Sequence, residues 1–393
     1  MFGGVAMKVV SVVPGRGFAG VVLAGLLAWH APVALAQASF KSLHSFNTAD
    51  GALPQAALTQ VGKNFYGSTQ YGGSVGAGTV FRMTSKGQVT VLHSFVQDGV
   101  DGQQPHAKLL LASDGLLYGC TQKGGTAGDG TLFSISPSGV YKVIYQFDGS
   151  AGGPAQPAAP LIQTADGNFV GTTYQGGTGG TGTIFRVTPS GSLTVLHNLG
   201  ATDGGLPTSG VTLASDGNYY GTTTSGGSAG YGTAYRLTPA GVFTVLHNFI
   251  YASSGSNPWG GLVQASDGNL YGTTGSGGDN GVGTLFRLTP SGTLTKLFSF
   301  GSGLGANPTG TLAVGADGLL YGTTYQTQVP YNAGTVFKAT LAGVVSTVFA
   351  FPVDQLSGAN PWAGVTVGKK GRLYGTTVLG GAAGVGTVYR LTP

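Results

Sequence analysis

Apolar residues along this chain fall in short runs broken by Gly, Asp, Ser and Pro, and the runs recur in a fixed order. One unit, residues 257–300, reads "NPWGGLVQASDGNLYGTTGSGGDNGVGTLFRLTPSGTLTKLFSF". It offers four short β-segments: the run after Pro258, "NLYGTT", "GTLFRLTP" and "LTKLFSF". "ASDG" joins the first two and "TPSG" the last two, both hairpin chemistry in which Gly supplies the positive φ of the turn.

The second segment returns as "FYGST", "LYGCT", "FVGTT", "YYGTT" and three copies of "LYGTT", with its Gly at 67, 119, 171, 221, 272, 322 and 375. Each copy is followed by a relative of "GTLFR" and, except for the last, by a relative of "VLHSF". Four antiparallel strands repeated about every 50 residues predict the blades of a β-propeller. The seventh unit stops at "GTVYRLTP" without a fourth strand, whereas residues 39–46, "SFKSLHSF", form a fourth strand with no first three. Together they complete one blade, and the exchange removes the exposed sheet edges of an open array. The expectation is a single all-β domain over 37–393, a closed seven-bladed propeller. Its blades run about 54–95, 105–147, 157–199, 207–249, 258–300, 308–351, and 361–393 plus 39–46.

Composition narrows the alternatives. There are 74 Gly, no Glu, 18 Lys plus Arg and 13 acidic residues in 393. Thr, Tyr, Val and Phe favour strands and Gly favours turns, while the Glu-rich surface of helices is missing. With 41% hydrophobic residues the chain buries a core rather than remaining disordered. A transmembrane β-barrel needs longer alternating strands than these, and a parallel solenoid has no use for complementary ends.

Residues 1–36 resemble an export signal. Lys8 and Arg16 form a positive start, "GFAGVVLAGLLAW" an apolar stretch, and Ala34-Leu35-Ala36 a cleavage pattern before Gln37. The expected destination is the cell surface, the extracellular space or the periplasm, with no membrane span left after cleavage. Cys120 is the only cysteine, so no intrachain disulfide supports the fold. Without the signal the net charge falls to about +3, too small and scattered for a nucleic-acid partner. A monomer without a cofactor is expected.

The phrases "DGNLYGTT", "GTLFRLTP" and "LTVLHNF" resemble the GloVer tandem repeat of exported bacterial proteins that carry a choice of surface anchors. The resemblance covers essentially the whole mature chain. It implies a surface propeller and brings no established activity or catalytic residues.

Function is therefore sought where the repeats differ. The "YGTT" column is explained by packing. The Arg that follows "GTLF" (Arg82, Arg186, Arg236, Arg287, Arg390) is expected to bond or stack between blades. His44, His93, His197 and His247 share a column with Tyr145, Phe298 and Phe349, so that site calls for a flat ring and no metal. Asp114, Asp166, Asp216, Asp267 and Asp317 are hairpin formers. The residue after each blade-opening Pro varies strongly: Gln55, His106, Ala158, Thr208, Trp259, Thr309 and Trp362. This column places Trp259 and Trp362 near the channel mouth, where they either plug the channel or seal adjacent blades, or offer aromatic faces beside Asp and Asn that suit a polysaccharide or a cell-surface protein. Tyr71, Tyr174, Tyr325, Tyr331 and Asp279 in the rim loops extend that surface.

Two other readings stay open. His106 and Lys108, two apart on a strand with Asp101 upstream, fit proton abstraction in a lyase-like polysaccharide enzyme. A purely structural envelope component is the other. The "GGDNGVG" loop is no nucleotide cradle, because neither a GK[ST] nor a helix follows it.

Overall fold

The structure, a computed structural model, describes residues 38–393 apart from Ser302, residues 327–332 and Gln355. The export-signal reading of residues 1–36 and the rim residue Tyr331 lie outside the described residues.

Each repeat folds into its own antiparallel sheet, with strands in sequence order, and seven such sheets make a β-propeller. The blade at residues 257–300 is built from Val263–Gln264, Leu270–Thr274, Thr284–Leu288 and Leu294–Ser299. Two short strands, Gly102–Pro105 and Ala306–Pro308, extend the second and sixth sheets, and the third carries an added pair, Pro154–Ala155 with Gln175–Gly176. The remaining regular elements are two single turns of 3-10 helix, Ser150–Gly152 and Lys369–Gly371. Among the described residues no helix is long and apolar enough to cross a membrane.

The ring closes as the ends of the sequence predict. Ser39–Ser45 pairs antiparallel with Thr387–Thr392, Phe40 opposite Leu391 and Ser45 opposite Thr387, and becomes the outer strand of the seventh blade. Side-chain bonds continue the seam: the Thr376 hydroxyl donates to the Ala56 carbonyl, and the Ala382 amide to the Ser45 hydroxyl.

The apolar core lies between blades, not inside them. Seven buried clusters account for it, one at each blade boundary. At one boundary Tyr66, Val80 and Phe95 of the first blade meet Leu109, Leu117 and Phe133 of the second. At the closing boundary Phe46, Tyr374 and Val388 of the seventh meet Leu58, Phe65 and Phe81 of the first. Successive residues of a strand point to opposite faces, so Phe65 serves one neighbour and Tyr66 the other. Both faces of the two middle strands are covered: Leu270–Thr274 is buried throughout and Thr284–Leu288 everywhere but at Arg287. Each large side chain buried this way contributes about 1.5–3 kcal/mol.

Three repeated details hold each blade. The last Thr of "YGTT" and the Thr of "GTLF" share a buried hydroxyl–hydroxyl bond, 2.9 Å for Thr274 with Thr284, and all seven blades have the pair. The pairing of third and fourth strands slips by one residue beside the His column, as between Val80 paired with His93 and Phe81 paired with Val91, a bulge found in every blade. The Gly before "TLF" has positive φ and lies under the opening Pro of the next blade: a Cβ on Gly283 would sit 2.3 Å from the Thr274 carbonyl and 2.8 Å from Pro308. That contact, not a ligand, accounts for this Gly of the "GGDNGVG" loop.

Candidate functional site

The chain enters each blade through a strained step. The residue before the opening Pro is left-handed in all seven: Leu53, Gln104, Gln156, Leu206, Asn257, Asn307 and Asn360, with φ between 52° and 58°. A following Pro restricts this residue, so the conformation needs support. Part of it is a backbone bond to the previous blade, such as Asn257 N–H to the Tyr231 carbonyl and, across the closure, Leu53 N–H to the Val385 carbonyl. The Asn side chains add a second bond, Asn257 to the Thr224 carbonyl, Asn307 to Gly275 and Asn360 to Tyr325. The step sends the chain into the centre of the ring and presents the residue after Pro to the channel.

All seven residues of that column line one central cavity of about 380 Å³. Trp259 and Trp362 stand on its wall half-buried, their rings stacked at 6.1 Å and 29°. The Trp259 indole packs against Gly275, where a Cβ would come within 2.3 Å of the ring, so that Gly fixes the ring's seat. Tyr325 meets Trp362 edge-on at 5.5 Å. Thr208 and Thr309 donate their hydroxyls to the Trp259 and Trp362 carbonyls, tying blade to blade beneath the rings. Gln55 donates to the Gln70 side chain at 2.7 Å.

His106 and Lys108 line the same cavity. They belong to the segment between the strands Gly102–Pro105 and Leu110–Leu111, not to a strand as the spacing suggests. Burial lowers the His106 pKa to about 4, so its imidazole is neutral at pH 7. The Lys108 side chain is exposed to the channel, yet the surrounding protein desolvates it enough to lower its pKa too.

Asp101 does not join them. Its buried carboxylate accepts bonds from His93 Nε2 at 2.9 Å, from the Tyr141 hydroxyl at 2.7 Å and from the Val96 and Gly102 amides. The lyase arrangement therefore lacks its carboxylate. Two further loop carboxylates are also spent elsewhere: Asp50 and Asp203 bond His44 and His197, each at 3.0 Å. Asp279 pairs with Lys296 and Ser299 on the outer strand, away from the channel. Tyr71 lines a separate shallow groove beside Gly72 and Ser94, and Tyr174 is outside the channel lining. Among the described residues no Asp or Glu lines the cavity. The mouth is thus aromatic and basic with Gln, Thr and Ser, rather than aromatic with Asp and Asn.

The flat-ring reading of the His column is correct and incomplete. His93 stacks on Tyr141 at 3.7 Å, His197 on Phe243 at 4.1 Å, and Phe349 on Phe40 at 4.6 Å, each on the next blade's outer strand. The rings also clasp the following loop through Asp or, for His247, through Ser254 at 3.2 Å. An Asp six to eight residues after three of these His was the available sequence signal. The hairpin Asp residues likewise do more than turn the chain: Asp114, Asp216, Asp267 and Asp317 accept the hydroxyl of the "YGTT" Tyr. The Arg column stands opposite that Tyr within its own blade, as Arg287 does to Tyr271, and it is Tyr hydroxyls that reach across, Tyr66 to the Pro137 carbonyl and Tyr271 to Leu341. Among the described residues no three His, Cys, Asp or Glu are grouped to hold a metal.

Residues 32–165 and 156–389 both match the sequence pattern of the Gloeobacter/Verrucomicrobia repeat, which together is nearly all of the propeller. The chain belongs to this repeat family. No curated protein matches this Gloeobacter/Verrucomicrobia repeat chain. Among solved structures it is similar to the extracellular domain of a proposed hybrid two-component system from B. thetaiotaomicron, with 11% identity and a TM-score of 0.58. That match covers 90% of the repeat chain and 39% of the other, so the chain spans about two fifths of the domain it resembles. It is also similar to a proposed 6-phosphogluconolactonase from Bacteroides fragilis, with 18% identity, a TM-score of 0.52, and 80% and 87% of the two chains covered. At such identities the likeness concerns the propeller fold alone.

Proposed function

We propose that this Gloeobacter/Verrucomicrobia repeat protein is an exported binding propeller that recognises a glycan at the mouth of its central channel. The observation that carries the reading is the Trp259–Trp362 pair, half-buried on the wall of a cavity of about 380 Å³ with Tyr325 against it. That volume is within the range of small-ligand sites. Half-exposed indole faces offer CH groups of a sugar a flat apolar surface, while Gln55, His106 and the Thr hydroxyls supply hydrogen-bonding edges. Variation in this one column also supports the reading: Gln, His, Ala, Thr and Trp at equivalent positions make the channel wall asymmetric, which ring closure does not require. The leader-like residues 1–36, with Lys8, Arg16 and the Ala34-Leu35-Ala36 pattern, support export.

A glycan array probed with residues 37–393 tests the proposal. Saturable binding that falls about ten-fold or more in the Trp259→Ala, Trp362→Ala double variant is expected, since each aromatic contact is worth about 0.5–1.5 kcal/mol beyond its buried area. Binding unchanged in a folded double variant would overturn it.

A further inference from the structure

We infer that the channel selects an acidic saccharide, one whose pyranose carries a carboxylate or a sulfate. This rests on the reading of the channel as a glycan site and names the ligand class within it.

Three observations converge. Among the described residues Lys108 is the one charged residue of the cavity lining, and no Asp or Glu lines the same space. Among the described residues it forms no ion pair; the pairs present are those of His44, His93, His197 and Lys296. Most surface lysines answer their charge with bulk water; Lys108 is exposed to the channel, but the protein packed around it still penalises its charge by desolvation. A cation left unanswered in such a place is stabilised by an incoming anion. His106, two residues away, is neutral at pH 7 and offers one ring N–H as a donor without adding a second charge.

The arrangement also sets an orientation. Lys108 and His106 come from the second blade, and Trp259 and Trp362 from the fifth and seventh, and all four line the same cavity. A sugar ring laid against the indoles directs its acidic substituent towards the second blade. Neutral glycans would use the aromatic wall and leave Lys108 unanswered. The lining thus reads as a two-part site, with an apolar platform for the ring and a cation for its acidic group.

The test measures binding of residues 37–393 to a panel of uronic-acid tetrasaccharides, sulfated tetrasaccharides and neutral tetrasaccharides, with methyl-esterified uronates as matched uncharged controls. Expected is binding of acidic probes at least ten-fold tighter than of the esterified or neutral ones. That preference should be lost in Lys108→Gln, kept in Lys108→Arg, and weakened by added salt. The uronate and sulfate arms separate the two sources of charge. Equal binding of neutral and acidic probes, unaffected by Lys108→Gln but lost in the double Trp variant, would overturn the acidic preference and leave the glycan site standing. Failure of every probe to bind would overturn both. Thermal melts of each variant confirm folding, which Lys108→Gln should not disturb because the side chain is exposed to the channel.

Discussion

Tyr235 and Tyr389 occupy the position taken by Phe81, Phe133, Phe185, Phe286 and Phe337 in the other blades, and their buried hydroxyls have no partner among the described residues. A buried hydroxyl without a bond costs stability, so Tyr235→Phe and Tyr389→Phe should each stabilise the protein by about 1 kcal/mol in denaturant melts. Gly283→Ala should do the opposite. Its φ of 111° and the approach of the Thr274 carbonyl and Pro308 leave no room for a methyl group, and a loss of about 2–4 kcal/mol is expected in the same assay. Asp101 gives a pH-dependent case. Burial pushes its pKa up, but bonds from His93, Tyr141 and the Val96 amide outweigh burial and hold it below the usual carboxylate value. A carboxylate depressed in the folded state stabilises above its unfolded pKa of about 3.9 and loses that contribution as pH falls through the folded value. Asp101→Asn should therefore cost about 1–3 kcal/mol at pH 7, and its difference from the wild type should shrink as melts are taken below pH 4.

Strands differ in how plainly the sequence announces them. The hairpins at "SDG" and "PSG" and the apolar runs around them are legible because turn chemistry is local: Gly at positive φ and Asp accepting nearby amides are set within a few residues. The bulge beside the His column is not, since it arises from how two strands slide past one another and leaves no residue type behind it. The channel column is legible for a different reason: seven copies make a varying position visible against constant ones. What escapes the sequence is the use of each carboxylate, because Asp101 finds Tyr141 forty residues away and Asp279 finds Lys296 on another strand. Among elements the outer strand Ser39–Ser45 has the clearest testable role. Removing residues 38–46 should expose the edge at Thr387–Thr392 and the cluster that Phe46 seals, giving an oligomerising, less stable protein by size-exclusion chromatography and melting. Moving the same residues to follow Pro393 through a short linker should restore the elution and the melt of the intact protein.

The whole ring has no blade that owns its core. Each apolar cluster is shared by two neighbours, so a blade that opens exposes two boundaries at once. Unfolding should accordingly be one concerted transition, with near-UV and far-UV circular dichroism coincident in urea. Separate transitions would show that neighbouring blades are less interdependent than the shared clusters imply. The seam between Ser39–Ser45 and Thr387–Thr392 joins the two ends of the propeller. A growing polypeptide makes Ser39–Ser45 before every other strand of the ring and Thr387–Thr392 after them, so the first strand must wait with its hydrogen-bonding edge unanswered while the blades between are made. Closure is thereby coupled to synthesis of the last blade: any product interrupted before residue 387 leaves the ring unlatched, a state that a chaperone or protease can distinguish from the closed propeller.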